Sequence, residues 1–200
     1  GTVTAVSSAT LTLAGGTTVF SNDVSFSDWD LAVAEGADLA VEIPKDGDFT
    51  MADFAWGANA ALEKSGAGIL RLAAADNVDS AAITLGEGAV AGDCAVGGLV
   101  FAGGAVAADP EAVGGLTVTN GTVSGTCRVR QLVRGSAAVP FLTVAAENDP
   151  GYTAEDVVFE NAKGKAISGR ITKENVTVGD VECVRYSAEF IPNGLLLLVR

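Results

Sequence analysis

The chain contains no histidine. That removes any Ser-His-Asp or Cys-His nucleophile system and any imidazole metal site, because each needs a group that exchanges a proton or donates a lone pair near neutral pH. Cysteine is scarce. Cys94, Cys127 and Cys183 are an odd number with no C-x-x-C spacing, so a thiolate zinc or redox site is not expected. Two readings of the thiols stand: one disulfide with one free thiol, as in a surface protein, or small buried apolar side chains, the reading preferred for Cys94 and Cys127. Bases are few as well, 12 against 25 acids, for a formal net charge of −13. A field of that sign repels phosphate backbones and anionic lipid, so neither nucleic acid nor a charged membrane surface is an expected partner. No run approaches the ~18 apolar residues a membrane helix needs, and no signal peptide is visible. The first residue is Gly1 rather than Met, which reads as a processed or trimmed piece. Aromatics make up 6% against 48% hydrophobic residues. An interior of Ala, Val, Leu and Gly demands close backbone spacing, which suits narrow stacked layers better than a wide sandwich.

What is present is repetition. The stretch from Leu62 to Leu72 joins a turn built on Gly66 and Gly68 to a short alternating run, with Leu70 and Leu72 on one side of a strand and Arg71 on the other. Both glycines suit positive φ. Apolar strand centres fall at Leu70, Ile83, Leu99, Leu116 and Val129, separated by 13, 16, 17 and 13 residues, and Gly97-Gly98-Leu99-Val100-Phe101 recurs as Gly114-Gly115-Leu116-Thr117-Val118. Units this small cannot bury their own apolar face, so neighbours must stack at about 4.8 Å into a solenoid. The irregular spacing implies bulging loops, the most obvious from Ala105 to Val113 around Asp109-Pro110.

The pattern Leu62-x-Lys64-x-Gly66-x-Gly68-x-Leu70-x-Leu72, followed by Asn77, Ile83-Thr84-Leu85 and Gly88-Ala89-Val90, resembles the passenger-associated repeat of bacterial autotransporters. The likeness covers about thirty residues. It departs from the repeat at Ala73-Ala74-Ala75-Asp76, where small polar residues and Gly would follow the strand. The resemblance implies an all-β fold, a right-handed parallel β-helix in an exported, surface-displayed protein, and a C-terminal membrane barrel elsewhere in such proteins. Residues 151–200 have room for five or six short strands carrying Lys163, Lys165, Arg170, Lys173 and Arg185, too few for a barrel of eight, so no membrane insertion of this segment is expected.

Along the chain, Val3, Ala5, Leu11, Leu13 and Thr17 to Phe20 read as strands, and Leu39 to Ile43 as another ended by Pro44. Asp46-Gly47-Asp48 is turn chemistry; its two carboxylates lack the spacing of a calcium loop. Phe49, Phe54 and Trp56 read as core plugs. Carboxylate pairs such as Asp28 with Asp30 and Glu155 with Asp156 are available for acid–base work, but an acidic chain offers such pairs by chance. Gly66-x-Gly68 lacks the third glycine and the helix of a dinucleotide loop. No catalytic, cofactor-binding or metal residue is therefore assigned.

Residues 1–146 read as the solenoid and residues 147–200 as a C-terminal antiparallel β-hairpin cap packed on it, covering strand edges that are otherwise an aggregation hazard. Val157 to Phe159 is one strand there, and Ile171, Val176 and Val178 continue the pattern. Val184, Tyr186, Ala188 and Phe190 alternate inward, leaving Cys183, Arg185 and Glu189 outward. Asn193-Gly194 turns the chain into a last strand over 195–199, whose removal with residues 193–200 is expected to expose the strand around Tyr186 to Phe190.

The resulting expectation is a non-catalytic surface segment, extracellular or on a bacterial cell, acting as spacer or adhesin toward host or matrix glycans or proteins. The alternative is a carbohydrate-binding or carbohydrate-cleaving β-helix, with Trp29, Phe54 and Trp56 stacking on sugar rings beside neighbouring carboxylates.

Overall fold

A computed structural model describes residues 9–19, 29–51, 54–72, 78–112, 114–135 and 137–191, with backbone alone for 9–11, 29–31, 54 and 78–80. It is an all-β solenoid of about five turns with no α-helix among the described residues. Strands are numbered in chain order. One face stacks β2 (Gly16–Val19), β4 (Asp38–Glu42), β7 (Ala61–Ser65), β9 (Val78–Leu85), β11 (Val96–Phe101) and β14 (Val123–Gly125). A second stacks β5 (Asp48–Met51), β8 (Ile69–Leu72), β10 (Ala89–Gly92), β12 (Ala105–Ala108), β15 (Cys127–Gln131) and β17 (Val157–Glu160). The third begins with β1 (Ala9–Leu13), β3 (Trp29–Val33) and β6 (Phe54–Trp56). Beyond these, β13 (Leu116–Val118) pairs parallel with β16 (Val139–Ala145). All pairings within the two six-stranded faces are parallel.

Alternation decides which side chains fill the interior. On the first face Leu39, Leu62, Ile83, Leu99 and Val123 stand in register on successive strands. On the second the ladder is Phe49, Leu70, Val90, Val106, Val129 and Phe159. All of these except the partly buried Val123 are core residues, and burying each aliphatic contributes about 2 kcal/mol. Rung length is read from the same ladder: 49 to 70, 70 to 90, 90 to 106, 106 to 129 and 129 to 159 are steps of 21, 20, 16, 23 and 30 residues. Most of the 13-to-17-residue spacings in the sequence therefore step from one face to the next. Only the 16 residues from Ile83 to Leu99 make a full rung. The two Gly-Gly-Leu segments do not stack on each other either, since β11 and β13 lie in different sheets.

Corners are glycine-built, for two different reasons. Gly66 sits at φ +70, as its place in the turn demands. Gly68 does not have positive φ; it is needed for approach, because a Cβ there would meet Pro44 O and stand 2.6 Å from both Gly47 O and Ile43 Cγ2. Leu70 and Leu72 are buried and Arg71 faces out, as the alternation predicts.

Two expectations are corrected. Ala105–Ala108 is not a bulging loop but strand β12, with all four residues buried. Short side chains let it be covered on both sides: Val106 fills the interior, while Ala105 and Ala107 join Ala89 and Ala91 in a separate cluster against Ile69 and Leu132. Cys183 does not face solvent either; it is 2% exposed. It stands opposite Ala145 and Val176, on a sheet whose neighbouring strand β16 is covered on both sides, Phe141, Thr143 and Ala145 being buried along with Leu142 and Val144. All three thiols are free and buried.

The solenoid sheet continues past residue 146 to β17, and two eleven-residue strands follow, β18 (Ser168–Val178) and β19 (Val181–Ile191), forming an antiparallel hairpin on β16. Its turn is Gly179-Asp180, with Gly179 at φ +59. Tyr186, Ala188 and Phe190 are buried as expected, with Val184 partly so. The Tyr186 hydroxyl donates to Asp149 Oδ1, which also accepts from Gly151 N at 3.0 Å, and the Tyr186 ring packs edge-on against Tyr152 at 5.9 Å. This clasp joins the hairpin to the turn between β16 and β17. Tyr186→Phe is expected to destabilise the protein by roughly 2 kcal/mol, read as a lower urea midpoint with unchanged slope; no shift would show the clasp to be dispensable. The expected strand over 195–199 and its turn at Asn193-Gly194 lie outside the described residues.

Candidate functional surface

The outer side of the first face carries the residues that alternate with the core ladder. They form straight rows: Thr17, Ala40, Glu63, Thr84, Val100 and Ser124 in one, and Asp38, Ala61, Ala82 and Gly98 in the next. Short side chains leave a shallow depression of about 330 Å³, lined by Thr17, Asp38, Ala40, Ala61, Glu63 and Thr84 with parts of their neighbours. Asp38 and Glu63 bring two carboxylates to it, and neither is in an ion pair among the described residues. The row runs along the solenoid axis at the strand spacing of about 4.8 Å, so it offers hydroxyl, carboxylate and methyl groups to an extended ligand.

The second face is built differently, since its charges are matched. Arg71 donates to Asp48 from Nε at 2.8 Å and from Nη2 at 3.0 Å, and its Nη1 reaches Asp109. Hydrogen bonds from the guanidinium to Asp48, then to Asp109, hold its pKa above the usual arginine value against the cost of burial. Further along, Glu160, 5% exposed, takes Arg128 at 3.0 Å and Arg130 at 2.9 Å. These pairs join residues 23, 38, 32 and 30 apart in sequence: Arg71–Asp48 ties β8 to its neighbour β5 and the Glu160 pairs tie β15 to its neighbour β17, while Arg71–Asp109 reaches past β10 to the end of β12. The arginine cluster at Arg128 and Arg130 is visible in the sequence, but its carboxylate partner is not.

Lys64 is the residue that sequence reasoning passed over. It occupies an inward position between Val41 and Leu85 and is 0% exposed. Its Nζ donates to Ser65 O and Gly66 O, both at 2.7 Å, and to Glu87 O at 3.2 Å. Burial pushes its pKa down from 10.5 to about 8, and Arg130 adds to this, while Glu87 and Glu42 act the other way. The signal was available: in Leu62-x-Lys64 the lysine has the parity of the buried leucine.

Of the residues considered for sugar stacking, Trp56 is 9% exposed and belongs to the core with Phe49. Trp29 and Phe54 lie on the adjacent paired strands β3 and β6, where only the backbone is described. Asp30 is in β3 and Asp28 lies outside the described residues. Asp156 is a turn cap: it accepts from Thr153 Oγ1 at 2.7 Å and Thr153 N at 2.8 Å, and those hydrogen bonds lower its pKa. Asp46, at φ +66, forms the turn expected at Asp46-Gly47-Asp48, and Asp48 is committed to Arg71. Among the described residues no group of three or more acidic or thiol ligands converges on a point. Compared with protein-family models, curated protein sequences and solved structures, the chain matches none.

Proposed function

We propose that this chain is a non-catalytic β-solenoid segment displayed outside a bacterial cell, a spacer whose first face serves as an adhesive surface. The observation that carries this reading is the division of labour between faces. Charges on the second face are spent on clamps between strands, as a rigid shaft requires. Those on the first face, Asp38 and Glu63, stand in a row of small side chains with no ion-pair partner among the described residues. The resemblance of residues 62–90 to autotransporter passenger repeats supports export and surface display.

The second reading, a carbohydrate-binding β-helix, rests on the same depression, because the hydroxyls of Thr17 and Thr84 beside the carboxylates of Asp38 and Glu63 suit sugar hydroxyls. One experiment separates the two. Titration with a panel of soluble host and matrix glycans, followed by calorimetry and tryptophan fluorescence, is expected to give no binding if the chain is a spacer or binds protein alone. Saturable binding that Glu63→Ala weakens at least tenfold would establish the carbohydrate reading. Binding of a purified matrix protein that the same substitution weakens would establish the adhesin. Cleavage of any glycan in the panel would overturn the non-catalytic assignment.

A further inference from the structure

We propose that the free long edge of β18 pairs antiparallel with the same edge of a second copy of this chain, with Thr172 meeting Thr172 of that copy on the twofold axis. β18 pairs with β19 through eleven consecutive register positions, Ser168 with Ile191 to Val178 with Val181, without a bulge. A two-residue turn makes Val178–Val181 a hydrogen-bonded pair. The even-numbered residues therefore aim their backbone groups at β19, and Gly169, Ile171, Lys173, Asn175 and Thr177 aim theirs away. No described strand lies on that side.

Among the described residues, several of the usual protections of an edge are missing here. β18 is twice the usual strand length and has neither proline nor bulge. Its one lysine does not guard it: Lys173 Nζ stands 5.0 Å from the centre of the Tyr186 ring, turned over the sheet face.

Charge argues for a second copy as the occupant. The chain carries −13 overall, yet β18 contains Arg170 and Lys173 against Glu174 alone, so this edge escapes the like-charge repulsion that the chain's overall charge would impose on two copies. Register follows from the same charges. Pairing about Lys173 sets two ammonium groups opposite each other, and pairing about Glu174 sets two carboxylates so, both unfavourable. Pairing about Thr172 places Arg170 opposite Glu174 of the second copy, twice by symmetry. Within each copy Arg170 already bonds Glu189 at 2.7 Å, and Glu174 stands opposite Arg185, whose Nε is buried without a hydrogen-bond partner among the described residues. The joined hairpins thus carry two rows of alternating charge: Glu189 and Arg170 of one copy, then Glu174 and Arg185 of the other. Ile171 with Lys173 and Gly169 with Asn175 become hydrogen-bonded pairs, supplying about eight backbone bonds. An edge contact buries less than a standard interface, so the dimer is a weak one.

The test is Thr172→Cys under mild oxidation, with sedimentation of the wild type over a concentration series. Cross-strand positions of this kind bring Cβ atoms within disulfide reach, and the native thiols, at 5%, 0% and 2% exposure, are no background. Thr172→Cys is expected to give a covalent dimer, whereas Glu174→Cys, which faces Arg170 in this register, is not. The wild type is expected to show a monomer–dimer equilibrium. Glu174→Lys weakens it at least tenfold, and Asn175→Pro, which removes an outward N–H while leaving the bonds to β19, abolishes it. A wild type that stays monomeric up to millimolar concentration overturns the proposal, as does a Glu174→Cys cross-link forming as readily as the Thr172→Cys one. If residues 192–200 of the same chain occupy this edge, the protein stays monomeric with no Thr172→Cys cross-link, and the proposal fails.

Discussion

Gly88→Ala is expected to destabilise the solenoid by about 3 kcal/mol or more, at the upper end of overpacking costs. Gly88 forms the corner between β9 and β10, directly over the corner of Gly66 and Gly68. A Cβ there would drive into the carbonyl oxygens of Gly68 and Gly66 and stand 2.7 Å from Lys64 Nζ. Two of these neighbours are backbone, and the third is the buried ammonium that bonds Gly66 O, so none can step aside cheaply. The residue also sits at φ +72, a conformation that costs an L-residue about 1 kcal/mol by itself. Gly36 separates the two causes. It has φ +65, and a Cβ added there would meet nothing within 4 Å, so Gly36→Ala carries the strain without the clash and should cost only about 1 kcal/mol. Urea unfolding of both variants decides the matter. Equal losses would mean that the stacked corners relax apart instead of holding their close approach.

Lys64 makes the second large effect, and its sign runs against intuition for an acidic protein. With the folded pKa near 8 and the unfolded value at 10.5, the unfolded chain holds a proton that the folded chain has released throughout the window from pH 8 to 10.5. Unfolding then takes up a proton, so this group makes stability rise with pH across that window, by about 1.4 kcal/mol per pH unit and roughly 3 kcal/mol in all. Below pH 8 the charged form is buried at a cost that three carbonyls only partly offset. Other groups oppose the trend at the alkaline end. Burial raises Cys127 and Tyr152 each to about 12, and raises Cys183 and Tyr186 too, so each keeps its proton when folded and costs stability as the unfolded chain ionises. The measurement is therefore a difference. The stability of the wild type minus that of Lys64→Met, taken at pH 7, 8, 9 and 10, should climb by roughly 2 to 3 kcal/mol. A flat difference would show that Lys64 reaches water and is not held on Ser65 O, Gly66 O and Glu87 O.

Much of the fold was legible because strand alternation is a local property. A period of two places Leu70 and Leu72 inside and Arg71 outside whatever lies above or below them, and the same rule gives Tyr186, Ala188 and Phe190 their burial. The glycines at 66 and 68 announce a corner on the same terms. The absence of histidine likewise removes whole classes of chemistry whatever the fold. Which strands share a face is not local. It depends on how many residues each corner consumes, and steps of 16 to 30 residues between stacked positions cannot be read from apolar spacing, where a step to the next face and a step to the next rung look alike. Only stacking could show that Ala105–Ala108 is a strand, because alanine has little strand preference of its own and is held there by the neighbours that cover it. Only stacking could bury Cys183 against Ala145 and Val176, or bring Glu160 to Arg128 and Arg130 from some thirty residues away. The sequence by itself determined that this chain is short strands joined by glycine corners, with an interior of small aliphatics. The tertiary structure decided which charges meet and which stand free, because electrostatic pairing depends on distance through space, and in a solenoid that distance is set by the length of every rung between.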